Sequence, residues 1–144
     1  MEWRTRKPED MEAVAEALLS TIEISERATV LALSGELGAG KTTFVQFLAN
    51  ALGIGERVTS PTFVIQKRFL TDHPSFTSLV HIDAYRLESG DELEVLGWYD
   101  TLSDPRTLVA LEWPENVKEA LPEESINIAF EYDGEGRQIT VSNL

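Results

Sequence analysis

Residues 35–42 read Gly-Glu-Leu-Gly-Ala-Gly-Lys-Thr, and Thr43 follows. Every fixed position of G-x-x-x-x-G-K-[ST] is filled. What constrains the fold is this motif together with its flanks. Residues 28–34, Ala-Thr-Val-Leu-Ala-Leu-Ser, are the continuous apolar run of a strand covered on both faces. After the motif, Phe44, Phe47, Leu48, Ala51 and Leu52 recur at helical spacing, and Gly53 supplies a C-cap. Buried strand, glycine-rich loop and helix in that order predict an α/β domain with a phosphate-binding P-loop.

The residue types follow from the chemistry of wrapping a polyphosphate. Glycines permit backbone conformations and close approaches that a Cβ forbids. The loop amides and the following helix N-terminus aim donors at the anion. Gly35, Glu36, Leu37, Gly38, Ala39, Gly40, Lys41, Thr42 and Thr43 are the expected nucleotide-binding residues. Lys41 reaches the β- and γ-phosphates, and the Thr42 hydroxyl is placed to ligate Mg²⁺.

Two further apolar runs end in a carboxylate: residues 78–83, Ser-Leu-Val-His-Ile-Asp, and 107–112, Thr-Leu-Val-Ala-Leu-Glu. Each has the form of the second strand of a P-loop site, whose terminal acid meets the metal or orients water. Asp83 and Glu112 can divide these tasks, and the pattern leaves open which does which. His81 shares a strand face with Asp83 and is expected to form a structural hydrogen bond. Trp113, directly after Glu112, lies over the nucleotide or the cleft mouth, or else belongs to the core. At residues 58–63, Val-Thr-Ser-Pro-Thr-Phe, Pro61 makes Ser60 extended. The hydroxyls of Thr59, Ser60 and Thr62 flank that proline at the distance where P-loop proteins place a switch sensing the γ-phosphate.

The remaining chain supplies the frame. Glu2–Thr5 reads as a short edge strand. Pro8, Glu9 and Asp10 open a helix whose apolar face is Met11, Val14, Ala15, Leu18, Leu19 and Ile22, and the Asp10 end can approach the base of a nucleotide. Residues 63–70 read as a strand, followed by a loop in which His73 is expected to be solvent-exposed. Residues 91–97 form a short helix, and Trp98, Tyr99 and Asp100 continue irregularly. Pro114 starts a helix over 115–121. Ile126, Ile128, Phe130 and Tyr132 alternate with polar positions, a turn at 133–136 reverses the chain, and Ile139 and Val141 return on a second strand.

The formal net charge is −13. Residues 1–72 carry 8 basic and 10 acidic groups, and residues 73–144 carry 4 and 15. This acidity gives no footprint for gripping nucleic acid directly; the acidic half either keeps the chain soluble or docks on a basic protein surface. Cysteine is absent, which excludes thiol catalysis and thiolate metal sites. No apolar run approaches the ~20 residues of a membrane span, and the basic N-terminus has no apolar stretch behind it. A cytoplasmic protein with no membrane partner is expected.

Thr42, residues 60–63 (Ser-Pro-Thr-Phe), residues 81–86 (His-Ile-Asp-Ala-Tyr-Arg), Glu92–Leu93 with Leu96–Gly97, and Glu112–Trp113–Pro114, in this order, resemble the TsaE (YjeE) family over roughly residues 8–133. The resemblance implies a single α/β P-loop NTPase domain over residues 1–144. Its mixed, mostly parallel sheet is flanked by helices, and an antiparallel hairpin follows at the C-terminus. It implies ATP and Mg²⁺ as cofactors and slow ATP hydrolysis. The implied partner is a TsaD–TsaB complex that makes threonylcarbamoyladenosine on tRNA, the tRNA being reached only through that complex. It implies that Lys41 contacts phosphate, that Thr42 and Glu112 ligate the metal, that Asp83 supports metal or water, and that Ser60 and Thr62 belong to a nucleotide-sensing switch. A small-molecule kinase is the alternative, but Arg57, Arg68, Arg86, Arg106 and Arg137 are scattered and the chain is short for an acceptor lid. A GTPase lacks its guanine-reading Asn-Lys-x-Asp: residues 116–119 are Asn-Val-Lys-Glu.

Overall fold

The apolar run before the glycine loop becomes β2 (Thr29–Ser34), the middle of a seven-stranded sheet. The other strands are β1 (Glu2–Thr5), β3 (Gln66–Leu70), β4 (Ser78–Asp83), β5 (Thr107–Glu112), β6 (Ile126–Asp133) and β7 (Gly136–Ser142). In this computed structural model, which describes residues 1–59 and 65–144, the order is β1-β7-β6-β2-β5-β4-β3. The four central strands β6, β2, β5 and β4 are mutually parallel. Antiparallel pairings close both sides: β3 on β4, and β7 on β6 with β1 outside it. The expected mixed sheet, edge strand and C-terminal hairpin are all present. The hairpin is integral to the sheet, because β6 lies directly beside β2.

Helices cover both faces. On one side lie α1 (Met11–Thr21) and α2 (Lys41–Ala51), whose Met11, Val14, Leu18, Phe44 and Leu48 pack with Leu31, Leu33, Leu79, Leu108 and Ala110. On the other, α3 (Asp91–Val95), α4 (Trp98–Leu102) and a 3-10 segment at Pro114–Ala120 bring Leu93, Trp98, Leu102 and Val117 against Val30, Val80, Ile82, Val109 and Leu111. Successive strand residues point to opposite faces, so β2, β4 and β5 must be apolar at nearly every position. The unbroken runs therefore mark central strands.

Several local expectations are corrected. Trp98–Leu102 is helical: Gly97 takes the left-handed conformation (φ +81°) and separates α3 from α4. The Trp98 indole is buried and donates to Ala120 O at 2.9 Å. Residues 114–120 are 3-10 and not α-helical, broken at Val117 (φ −134°). His73 is partly buried; its Nδ1 accepts from the Ser75 N–H at 3.1 Å. Tyr132 is exposed, outside the alternation that buries Ile126, Ile128 and Phe130. The strand expected over 63–70 begins at Gln66 among the described residues.

Register decides what the fold is for. Leu33 pairs with Glu112, and Asp83 pairs with Glu112 on the other side. The carboxyl ends of β2, β4 and β5 thus finish level, and the segments leaving them share one crevice, where open α/β sheets bind ligands.

Candidate active site

At the end of β2 the chain turns at Gly35 (φ +145°), where a Cβ would stand 2.5 Å from Phe130 O. It re-enters helix through Gly40 (φ +107°), where a Cβ would meet Met11 Cε at 2.9 Å. Strand β6 and helix α1 thus press the loop into a path that only glycine follows. The first α2 hydrogen bond, Phe44 N–H to Gly40 O at 2.9 Å, leaves the amides of the first turn pointing out of the helix end.

Lys41 is the first residue of α2. Its Nζ donates to Gly35 O and lies 3.6 Å from the Trp113 ring centroid, a cation–π contact. Burial pulls the ammonium below its usual range, and the charges of Glu112, Glu115 and Asp83 pull it back up. Thr42 Oγ1 donates to Glu112, 3.1 Å from Oε1 and 3.3 Å from Oε2. Glu112 is nearly buried, and its Oε2 is 2.6 Å from His81 Nε2. Asp83 is half-buried beside it and accepts the Tyr85 N–H on Oδ1 at 3.0 Å.

Trp113 leaves β5 in the left-handed region (φ +61°), an uncommon conformation for a bulky residue. Its N–H donates to Leu33 O at 3.3 Å, tying the β5 exit to the β2 exit, and its ring meets Tyr85 at 5.1 Å. A cleft of about 390 Å³ results. Leu37, Gly38, Gly40, Lys41, Thr42, Thr43, Asp83, Glu112 and Trp113 all line it. Of the remaining loop residues, Gly35, Glu36 and Ala39 border a separate hollow toward β6. Ser60 and Thr62 lie outside the described residues. Among the described residues no group of three or more His, Cys, Asp or Glu is arranged as a metal cage.

Asp10 itself is engaged locally. Its carboxylate accepts the N–H groups of Arg6 (2.8 Å) and Lys7 (3.1 Å), closing the turn before α1. Those backbone bonds hold it below the usual carboxylate range. The residues around it reach the loop: Thr5–Pro8 and Met11, with Gly40, Thr43 and Arg137, enclose a smaller cavity of about 150 Å³.

Three cleft residues escaped the sequence reading. Tyr85 faces Trp113, and Arg86 lines the mouth. Arg137 on β7 donates to Gly38 O (3.1 Å) and the Tyr132 hydroxyl (2.9 Å), its guanidinium 3.8 Å above the Tyr132 ring. The available signal was the hairpin: a two-residue turn at Gly134 and Glu135 pairs Tyr132 with Arg137. Two of the arginines that look scattered along the chain therefore converge on the cleft.

The sequence profile described as "Threonylcarbamoyl adenosine biosynthesis protein TsaE" matches residues 5–139. The tRNA threonylcarbamoyladenosine biosynthesis protein TsaE of Bacillus subtilis is 38% identical over 141 residues, covering 97% of this chain and 84% of that one. Its namesake in Streptomyces coelicolor is 43% identical over 121 residues, covering 78% of each. Among solved structures, the "Crystal structure of Bacillus subtilus YdiB" superposes with a TM-score of 0.73 at 31% identity, over 98% of this chain and 83% of that one. A match spanning nearly the whole chain, on a sheet whose strand ends gather Lys41, Thr42, Asp83, Glu112 and Trp113, means that this chain belongs to the TsaE family of tRNA threonylcarbamoyladenosine biosynthesis proteins.

Proposed function

We propose that the chain is a Mg²⁺-dependent P-loop ATPase that works as a cytoplasmic switch subunit on a TsaD–TsaB complex during threonylcarbamoyladenosine modification of tRNA. The observation that carries this reading is the meeting of Thr42 and Glu112. A hydroxyl at the start of the loop helix touches a buried carboxylate from a strand 70 positions away, beside the Lys41 ammonium. The donor set suits Mg²⁺, which takes one or two carboxylates and fills its shell with phosphate oxygens and water.

Each residue has a task in this reading. Gly38 and Gly40 let the backbone approach the phosphates, and Lys41 offsets their charge. Thr42 Oγ1 and Glu112 hold the cation. When bound, Mg²⁺ neutralises charge on the transferring phosphoryl group. Asp83, half-buried with one oxygen occupied by the Tyr85 amide, retains acceptor capacity to orient a water. Trp113 and Tyr85 form an aromatic wall that keeps bulk water from the Lys41 side. Adenine is the expected base, because the chain carries no guanine-reading motif.

The acidic C-terminal half suits a basic protein surface and disfavours direct tRNA binding. A partner that prefers the ATP-bound form must in turn tighten ATP. Lys41→Ala should abolish tight Mg-ATP binding in a calorimetric titration; unchanged affinity would overturn the site. The ATPase rate, measured with and without tRNA, should rise on adding TsaD–TsaB, and the complex should weaken with salt. A flat rate with no nucleotide-dependent complex in sedimentation would reject the switch and favour a kinase.

A further inference from the structure

The buried histidine on β4 has no task in the scheme above. His81 is fully buried on the α2 side of the sheet, paired in register with Ala110 on β5 and Lys67 on β3. Its Nε2 is 2.6 Å from Glu112 Oε2, and its Nδ1 has no hydrogen-bond partner among the described residues. A histidine that only fills core space is a poor choice here. Its strand neighbours Leu79, Val80 and Ile82 are apolar and fully buried, and an apolar side chain would fill the volume without stranding a ring nitrogen. What the ring supplies is one N–H aimed at one carboxylate oxygen.

That N–H has a geometric consequence. An ionised carboxylate only accepts, so Nε2 carries the proton and donates. Glu112 reaches the cleft on a flexible two-carbon stem, and a hydrogen bond to Oε2 locks the plane of its carboxylate. Oε1 then stays 3.1 Å from Thr42 Oγ1. Removing a group that holds a ligating side chain from behind typically costs roughly 10–100-fold in metal affinity.

We propose that His81 is a positioning residue: its Nε2–H holds Glu112 so that the carboxylate presents its other oxygen, Oε1, beside Thr42, setting the affinity of that pair for a divalent cation. The proposal rests on the cation reading of Thr42 and Glu112 above.

The test separates the two. The β,γ-imido analogue of ATP is titrated into the full chain by calorimetry, once with Mg²⁺ and once with EDTA, and the ratio of affinities is the metal enhancement. In His81→Phe, which keeps a ring but no donor, the enhancement should fall roughly tenfold or more while the EDTA affinity stays within about twofold. His81→Gln, whose amide N–H reaches close to the Nε2 position, should recover most of it. If Phe is not tolerated, His81→Asn decides: it stays polar but is too short to reach Oε2, and must lose the enhancement that Gln keeps. Equal behaviour of Gln and Asn, or equal loss with and without Mg²⁺, makes His81 a packing residue and overturns the proposal. Absence of any enhancement in the wild type overturns the cation reading itself.

Discussion

Strands β4 and β5 are near copies in sequence, two six-residue apolar runs each closed by an acid, and they lie side by side with Asp83 opposite Glu112. Their ends nevertheless have different chemistry. Glu112 is 3% exposed and held by Thr42 and His81. Asp83 is half-buried and bonded to the amide two residues on. The difference comes from position in the sheet. β5 lies between β2 and β4, so its terminal carboxylate faces the start of α2, whereas β4 lies one strand further out. Equal sequence patterns become a buried, multiply bonded acid and a partly solvated one because their neighbours differ.

Exchanging the charges one at a time is the strongest way to break this asymmetry. Glu112→Gln should lower turnover by more than about 100-fold, beyond the range typical of groups that merely support a ligand, with a smaller loss of nucleotide affinity. Single-turnover phosphate release alongside calorimetry separates the two effects. Asp83→Asn should lower turnover by less than Glu112→Gln does, because it removes a water-orienting acceptor and leaves the Thr42–Glu112 pair intact. Its melting temperature should hold, because the amide oxygen still accepts from Tyr85. The reverse order of severity would hand the metal to Asp83.

Stability gives an independent reading of the same contrast. Glu112→Ala strands the Thr42 hydroxyl and the buried His81 ring, and should cost about 1–3 kcal/mol in urea denaturation. Asp83→Ala should cost less, since its partner amide sits at the surface. A smaller effect belongs to the residue that follows Glu112. Trp113→Gly should be more stable than Trp113→Ala by about 1 kcal/mol, because only Ala bears the left-handed penalty. Both should weaken Mg-ATP binding through loss of the ring over Lys41.

The smallest effect calibrates the comparison with a carboxylate held only by local backbone. Asp10 is half-buried near the surface, and its hydrogen bonds from Arg6 and Lys7 lower its pKa from the ordinary 3.8. A lowered folded-state pKa means that the native chain binds its proton later than the unfolded chain as pH falls. The stabilisation is therefore complete above the ordinary value and is lost as pH drops through the lowered one. Asp10→Asn should melt slightly below wild type at neutral pH, and the two curves should converge in strong acid. A constant gap down to low pH would show that the cap does not act through charge.

What the sequence determined by itself was whatever local sterics and periodicity govern. The glycine pattern, the helix behind it and the uninterrupted apolar runs are properties of adjacent residues, and β4 and β5 match their expected ranges residue for residue. Short-range context misled where one residue redirected the chain: Gly97 started a helix in a stretch read as irregular, and Val117 broke one read as regular. What only the tertiary structure decided was strand order and register. Thr42 and Glu112 are 70 positions apart, His81 and Glu112 are 31 apart, and Arg137 and Gly38 are 99 apart. No local preference encodes those meetings. They follow from β5 inserting between β2 and β4, and from the hairpin closing beside β2, because that arrangement buries both apolar faces of the central strands under helices.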